Sequence, residues 1–361
     1  MLVGCDLHDK SMLLQIAHNR EKAVTRSFGT DRAGRSRAIV ELKRRAEEAG
    51  GAEIVFAYEA CAQGFGLHDD LTEDGIRCFV LAPTRISRST KARKNKTDEK
   101  DGDRILELLR GHVLAGNKLP SVWVPDAGTR DDREVVRTRV DLGERSGRLR
   151  TQIGSLLRRC DVGKPAGVGK KWTKGHRRWL KGLLRAGSVL GAGARQALGS
   201  LLRQLAFYEE EVKRSDGDVE VLSEDVRYRS SVRALCELKG VQVLTAMVFL
   251  TEMGDLSRFE NRRQIGSYLG LVPSSAESGE DSDRKGHITH QGSRRARRIL
   301  CQASWARVRS DAKEKGWYEQ VVLRNPKHKK IAIVGSMRRL GIVMWHRALA
   351  AQQKEAAAGG G

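Results

Sequence analysis

The chain has 361 residues, 39% of them hydrophobic, with 67 Lys and Arg against 45 Asp and Glu. That is enough apolar material for the cores of two or three domains, which excludes a disordered tail. The 22 surplus positive charges are interleaved with periodic apolar segments and not gathered in one arm, so folded domains with basic faces for a polyanion are expected.

Residues 1–128 alternate strand and helix signals. LVGCDL, MLLQIAHN and AVTRSFGT read as three consecutive strands, and Arg32 to Ala49 as an amphipathic helix closed by Gly50 and Gly51. EIVFAYEA and IRCFVLAP read as two further strands, with a helix over Gly64 to Leu71 between them. The spacing predicts a mixed α/β sheet, and PSVWVPDAGT, with two prolines and a glycine, predicts a boundary near Val124 to Thr129. Residues 129–229 carry apolar positions at helical spacing on charged segments, the pattern of long helices pairing as an antiparallel or intermolecular coiled coil. Between those helices, KPAGVGKKWTKGHRRWLKGLL is basic and sets Lys171 beside Trp172, with Trp179 close by; the tryptophans either fill a core or stack on bases. Residues 230–350 read as helical with a Gly- and Ser-rich interruption at Ser274 to Gly292. Within them LKGVQVLTA suggests a tight hairpin aiming backbone N–H groups at a phosphate. Residues 351–361, ending in KEAAAGGG, are expected to be disordered.

Cys5, Cys61, Cys78, Cys160, Cys236 and Cys301 lie far apart with no CxxC pair, so neither a zinc ribbon nor a disulfide framework is expected. They read as buried thiols in a reducing cytosol. The start MLVGCDLHDK enters an apolar strand with no basic leader, and no apolar run reaches the ~18 residues of a membrane span, so a cytoplasmic protein with no membrane partner is expected.

Four carboxylates stand out. Asp6 lies within the first strand and Glu59 near the end of the strand EIVFAYEA, and a buried carboxylate is costly unless paired, hydrogen-bonded or metal-bound. Asp98 and Asp101, in KNKTDEKDGDR, are three apart and would share one face of a helix. Four hard oxygen donors suit two Mg²⁺ ions spaced for phosphodiester chemistry. Lys94 and Lys96 would then bring phosphates to the acids, while Asp103, on another face, is expected to be solvated. A solvated, charged helix face is the plainer alternative for this stretch.

GCDLHDK, the YEA of the fourth strand, and KTDEKD leading into DRILELL resemble the RuvC-like (RNase H-like) DEDD domain of the insertion-sequence transposases of family one-hundred-ten, the bridge-RNA-guided recombinases. The resemblance puts the tetrad on Asp6, Glu59, Asp98 and Asp101. Gly102 departs from it, since alanine is usual after the last acid; the change lowers helix propensity by ~1 kcal/mol and removes no ligand.

A second matching stretch is RRQIGSYLGLVPSSAESGEDSDRKGHITHQGSRRARRIL, with Ser274, Ser275, Ser278, Ser282 and Ser293 beside Arg284, Lys285, Arg294, Arg295, Arg297 and Arg298. A serine in a Gly-rich loop is ordinarily a turn residue, and no triad spacing marks an activated hydroxyl. The segment resembles the carboxy-terminal transposase domain of the same family, where GLxP precedes the Ser-Gly that carries a nucleophilic serine. GLVP and ESG match at Gly270 to Pro273 and Glu277 to Gly279, which implies Ser278 as nucleophile. Two departures concern charge and phosphate contact: LKGVQVLTA lacks the second hairpin glycine, and His290 stands where Lys or Arg is common.

The resemblance runs from about residue 2 to residue 348. It implies a DNA recombinase that excises and inserts a mobile element by Mg²⁺-dependent cleavage and a phosphoserine link. It also implies target and donor DNA and a structured guide RNA as partners, and a homo-tetramer built as two dimers. The fold class implied is a RuvC-like α/β domain over residues 1–128, a helical coiled-coil region over 129–229 and a mostly α serine-bearing domain over 230–350. Lys94, Lys96, Lys171, Trp172, Arg284, Lys285, Arg294, Arg295 and Arg298 are the expected nucleic-acid contacts. A hydrolytic junction nuclease, needing only the acids, and a non-catalytic RNA-binding scaffold are the alternatives.

Overall fold

The computed structural model describes residues 1–86, 98–275 and 285–359. The chain divides into two compact units, Met1–Val124 and Pro125–Gly361. Among the described residues, no helix is long and apolar enough to cross a membrane.

The first unit holds a mixed sheet of strands β1 (Leu2–Leu7), β2 (Ser11–Ala17), β3 (Val24–Gly29), β4 (Val55–Glu59) and β5 (Arg77–Leu81), in the order β3-β2-β1-β4-β5. β1, β2 and β3 form an antiparallel meander, and the first turn is tight, with His8 N–H donating to the Ser11 carbonyl at 2.9 Å. β4 and β5 run parallel to β1 because a helix is threaded before each: α1 (Arg32–Glu48) and α2 (Gly66–Glu73). The Asp31 side chain starts α1 by accepting from Gly34 N–H, and Gly50 and Gly51, at φ +77° and +78°, end it.

Alternation along the strands sends side chains to opposite faces of this sheet. Val3 and Cys5 join Met12, Leu14, Ile16, Phe56 and Tyr58 in a core shared with Ala38, Ile39 and Leu42 of α1 and Leu67 and Leu71 of α2. Leu2, Val55, Ala57 and Leu81 face the other way, against Ile105, Leu106 and Leu109 of α3 (Asp98–Ala115). On that face the helix comes closest at a pair of glycines. A Cβ on Gly4 would stand 2.5 Å from the Gly102 carbonyl oxygen and 2.6 Å from Leu106 N, both backbone atoms.

The second unit is helical apart from a two-stranded ribbon, β6 (Pro273–Ser275) and β7 (Lys285–Ile288). Its long helices α4 (Ala127–Arg159) and α6 (Ala192–Ser223) pair within the chain, joined through α5 (Lys174–Gly182). Leu149, Ile153, Leu156 and Leu157 recur at 3.6-residue spacing on α4 and meet Leu180 of α5 and Leu198 and Leu205 of α6. Each such leucine, fully buried, stabilises the fold by about 1.5–3 kcal/mol. The remaining helices are α7 (Arg229–Cys236), α8 (Val243–Met253), α9 (Arg262–Tyr268), α10 (Arg294–Ser310), α11 (Ala312–Arg324) and α12 (Lys330–Gly359). α8, with the sequence VLTAMVFLTEM, is apolar all round and buried from Thr245 to Met253, so the others pack about it. The stretch 351–359, expected to be disordered, continues α12 as helix.

One carboxylate is buried in that apolar helix. Glu252, its side chain 6% exposed, accepts a forked pair of hydrogen bonds from Arg137 of α4, Nε to Oε1 at 2.8 Å and Nη2 to Oε2 at 3.1 Å. Arg133, one turn earlier, donates to the carbonyls of Thr251 and Glu252 and so caps the end of α8. Burial pushes the Glu252 carboxyl up, but the bonds and charge of Arg137 and the charge of Arg133 outweigh it and hold it below the usual carboxylate range.

Two predictions follow from this packing. Gly4→Ala is expected to destabilise the first unit by about 1–3 kcal/mol, the usual cost of overpacking against atoms that cannot move aside. Gly102→Ala, whose Cβ would meet the Gln15 side chain at 3.0 Å, is expected to be neutral or to stabilise by up to ~1 kcal/mol through helix propensity. Urea unfolding of both variants compares the two; equal destabilisation would contradict the backbone contact. In the second unit, Glu252→Gln is expected to cost at or below the low end of the ~3–5 kcal/mol seen when a buried pair loses a partner, because Arg137 is one-third exposed and can turn to water. A depressed carboxyl lends stability above its unfolded pKa of about 4.3 and loses it as pH falls through the folded value. The gap between parent and variant should therefore be full at neutral pH and close below about pH 4, as thermal melts across pH would record.

Candidate active site

The register of the sheet places two of the four acids. β1 and β4 pair in parallel with Leu2 beside Val55, Gly4 beside Ala57 and Cys5 beside Tyr58, so one step further brings Asp6 beside Glu59. Asp6 has the parity of Leu2 and Gly4, and Glu59 that of Val55 and Ala57, so both belong to the face that α3 covers. Leu81, the β5 neighbour of Glu59, lies on the same face. Both acids sit where their strands end, at the rim of the apolar layer.

α3 supplies the others. Gly102 lies over Gly4, and Ile105 and Leu109 continue down the sheet toward Leu2, so the helix runs with its first turn at the Asp6 end of β1. Asp101, one turn ahead of the fully buried Ile105, is 14% exposed and stands 3.6 Å from the Arg104 guanidinium. Asp98 is the first residue of α3; its side chain lies outside the described residues. Asp103 is exposed. Among the described residues no three His, Cys, Asp or Glu side chains form a ready metal cluster. The donors that the fold brings to one rim, Asp6, Glu59 and Asp101, are nevertheless all carboxylates, hard oxygen ligands that fit Mg²⁺ better than a thiophilic ion.

His8 joins this rim without having been singled out by sequence. Its Nε2 lies 3.0 Å from Asp6 Oδ2, while its carbonyl accepts from Gln63 Nε2 on the loop after β4. Its place two residues beyond Asp6, just past the end of β1, is the one signal in the sequence that could have marked it.

The second cluster surrounds residues 276–284, which carry Ser278, Ser282 and Arg284 and lie outside the described residues. What is described is its stem. β6 and β7 pair in antiparallel, and Ser274 Oγ donates to the His287 carbonyl at 2.9 Å. Below them the backbone crosses itself: Gly270 of GLVP, at φ +65°, lies against the backbone of Gln291, and Gly292, at φ +84°, lies against the Tyr268 carbonyl. Any Cβ at either position would overlap those atoms. Arg297 closes the crossing, its Nη1 donating to the carbonyls of Leu269, Gln291 and Gly292 at 3.3, 3.0 and 3.1 Å. Burial lowers its pKa from the ordinary arginine value.

The expected nucleic-acid contacts meet different fates. Lys94 and Lys96 lie outside the described residues, as does the Lys285 side chain. Lys171 and Arg294 are exposed. Trp172 is half-buried against the α4–α6 hairpin core, with the Arg150 guanidinium 5.6 Å from its ring centroid and His176 at its edge. Arg295 grips Asp141 of α4, with Nη2 to Oδ2 at 2.7 Å, and this bonding holds the Asp141 carboxyl below its usual range. Arg298 pairs with Glu144 one turn along the same helix. In the hairpin expected to receive a phosphate, Gly240 takes φ +81° and lies 2.9 Å, from where its Cβ would be, to the Ala303 carbonyl of α10.

Comparison with known proteins places both clusters in one context. Residues 232–319 match the sequence model of the transposase IS116/IS110/IS902 family, and residues 3–161 match a transposase model of the IS110 DEDD type. A protein of Sinorhizobium fredii named putative transposase y4qE is 30% identical over 84% of this chain and 70% of its own length. The transposase for insertion sequence element IS1533 of Leptospira borgpetersenii is 28% identical over 70% of each chain. A second Sinorhizobium fredii protein, named putative transposase y4rJ, is 28% identical over 87% of this chain and 82% of its own.

Arg297→Leu is expected to leave three carbonyls without their donor and to cost about 1–3 kcal/mol. Amide hydrogen exchange should quicken over residues 286–292 ahead of the rest of the unit; uniform change across the unit would show that the arginine does not act at the stem.

Proposed function

Since this chain belongs to the IS116/IS110/IS902 family of transposases, and so is an enzyme that acts on DNA, we propose that it excises and inserts its element at a RuvC-like site of Asp6, Glu59, Asp98 and Asp101 together with Ser278. The observation that carries this reading is the register: Asp6 and Glu59 stand at the ends of adjacent parallel strands, on the face where Gly4 lets α3 approach. Asp101 on that helix completes the described part of the acid rim. Bound among these carboxylates, Mg²⁺ would supply Lewis-acid stabilisation of the attacking and leaving oxygens.

This chain's own residues do the rest. His8 orients the Asp6 carboxylate by hydrogen bonding to Oδ2, as outer-shell partners of ligating acids do. Gly270, Gly292 and Arg297 hold together the two described ends that flank the segment bearing Ser278. The Ser278 oxygen forms a bond to phosphorus as a P–O bond of the strand breaks, the serine proton is released, and the departing DNA oxygen takes up a proton. The phosphoserine ester retains the bond energy, so a DNA hydroxyl can later attack it, restore the serine hydroxyl and rejoin the strand without ATP.

The surplus of 22 positive charges supports a second polyanion, a structured guide RNA that chooses target and donor by base pairing. The exposed Phe207 and Val221 of α6 support assembly through that helix into a tetramer of two dimers. Residues 129–229 then serve as the helical region between the acid-bearing domain and the serine-bearing domain at 230–350, in a cytoplasmic protein.

The test is a denaturing gel of a nicked suicide substrate incubated with each variant and Mg²⁺. Asp6→Ala, Glu59→Ala, Asp98→Ala and Asp101→Ala are each expected to lose at least about 100-fold in cleavage, since metal stabilisation is worth several kcal/mol and each 1.36 kcal/mol is tenfold. Ser278→Ala should leave no protein attached to DNA, whereas Ser274→Ala and Ser282→Ala should retain the adduct. Mixing Asp101→Ala with Ser278→Ala protein should recover part of the activity if subunits share sites. Cleaved ends with no adduct in the unmodified protein would instead mark a hydrolytic nuclease.

A further inference from the structure

Two of the arginines beside the serine segment, Arg295 and Arg298, are held by carboxylates of α4, and a group of cations that no carboxylate holds lies further along the chain. Between Glu319 and Glu355 the chain has no acidic residue. The turn from α11 into α12 carries Arg324, Lys327, Lys329 and Lys330 within seven positions of that stretch, and each is exposed. None of the four makes an ion pair among the described residues, in contrast to Arg295 with Asp141, Arg298 with Glu144, and Arg307 and Arg339 with Glu314. Lys327, Lys329 and Lys330 also crowd the first residues of α12, where the helix dipole is positive and further cations are unfavourable. Such a cluster is relieved by an anion from outside.

We propose that this turn is a docking surface for the phosphate backbone of duplex DNA. Three of its four charges are lysine ammonium groups, point charges without a planar fork for bases, and residues 323–331 include no Phe, Tyr or Trp on which a base could stack. The contact is therefore to backbone and indifferent to sequence. Duplex DNA presents about one negative charge per 1.7 Å of axis, a density that suits several cations on one short turn. The proposal rests on DNA being the substrate and not on the cleavage chemistry, so binding is read in chelator, where no strand is cut and failure of the acid site has no effect.

The experiment measures affinity for a random-sequence duplex as salt is varied, for the parent, for R324Q/K327Q/K329Q/K330Q and for R295Q/R298Q. Each phosphate contact contributes about 0.9 to the slope of log K against log salt, so the fourfold variant should flatten the slope by about 3–4. R295Q/R298Q should leave the slope as it is. Arginine at positions 327, 329 and 330 should restore it, because charge is the property required. Leu323→Lys, at a position 78% exposed, should steepen the slope by about one and gives an answer even if the fourfold variant folds poorly. An unchanged slope in the fourfold variant at parental melting temperature would overturn the proposal. So would a loss confined to a structured RNA, or to an acidic protein partner seated on the flanking Leu323 and Ile331.

Discussion

A helix can lie against a strand only as closely as the atoms between them allow, and at Gly4 and Gly102 neither element contributes a side chain. The backbone of α3 therefore touches that of β1, with Gly102 O and Leu106 N in the space a Cβ of Gly4 would need. Around this contact the helix finds its level: Ile105, Leu106 and Leu109 fill the layer over Leu2, Val55, Ala57 and Leu81. Held at that height, its first turn arrives at the strand ends where Asp6 and Glu59 stand side by side. A side chain at Gly4 would lift the helix and take Asp101 away from the strand acids, so the close approach governs the acid rim as well as the core beneath it. Placing the carboxylates at the rim also moderates their desolvation, since they border an apolar layer without being sunk in it.

The second unit applies close backbone contact to a different end. Gly270 and Gly292 let two segments cross where side chains would collide, and Arg297 binds the crossing by three carbonyls. The same unit uses charge as internal glue. Arg133, Arg137, Asp141 and Glu144 follow one another along one side of α4 and engage Thr251, Glu252, Arg295 and Arg298 in turn. Helix α4 thus joins the hairpin with α6 to the bundle around α8 through ions and hydrogen bonds as much as through Val136 and Val140. Net charge is consequently a poor guide to which cations face a partner, because many are already neutralised by the chain itself.

Much of this molecule was legible in its residues. The three consecutive strands, the helices and strands that follow them and the long charged helices all follow from period-2 and period-3.6 patterns, and those patterns are local. The carboxylates at Asp6 and Glu59 were conspicuous for the same reason: each interrupts an apolar alternation that its own neighbours define. His8 carries no such mark, because histidine beside a turn is ordinary, and only the folded hairpin brings its ring to Asp6. The disorder expected after residue 350 was a judgement on composition, and the continuing helix α12 overrides it as far as Gly359.

By itself, then, the sequence determined the strands and helices of the first unit, the long helices of the second, and which face of each strand carries an acid, since these depend on residues a few positions apart. Only the tertiary structure decided which strands are neighbours, that Gly4 and Gly102 meet, and that the α4–α6 pair forms within one chain. It alone decided too that Arg295 is held by Asp141, 154 residues away, while Arg324, Lys327, Lys329 and Lys330 remain open to solvent. The physical reason is that a periodic pattern specifies a surface but not its partner. Pairing of charges and contact of backbones are settled by distance in space, after loop closure and burial have chosen one packing among the many that the same local pattern permits.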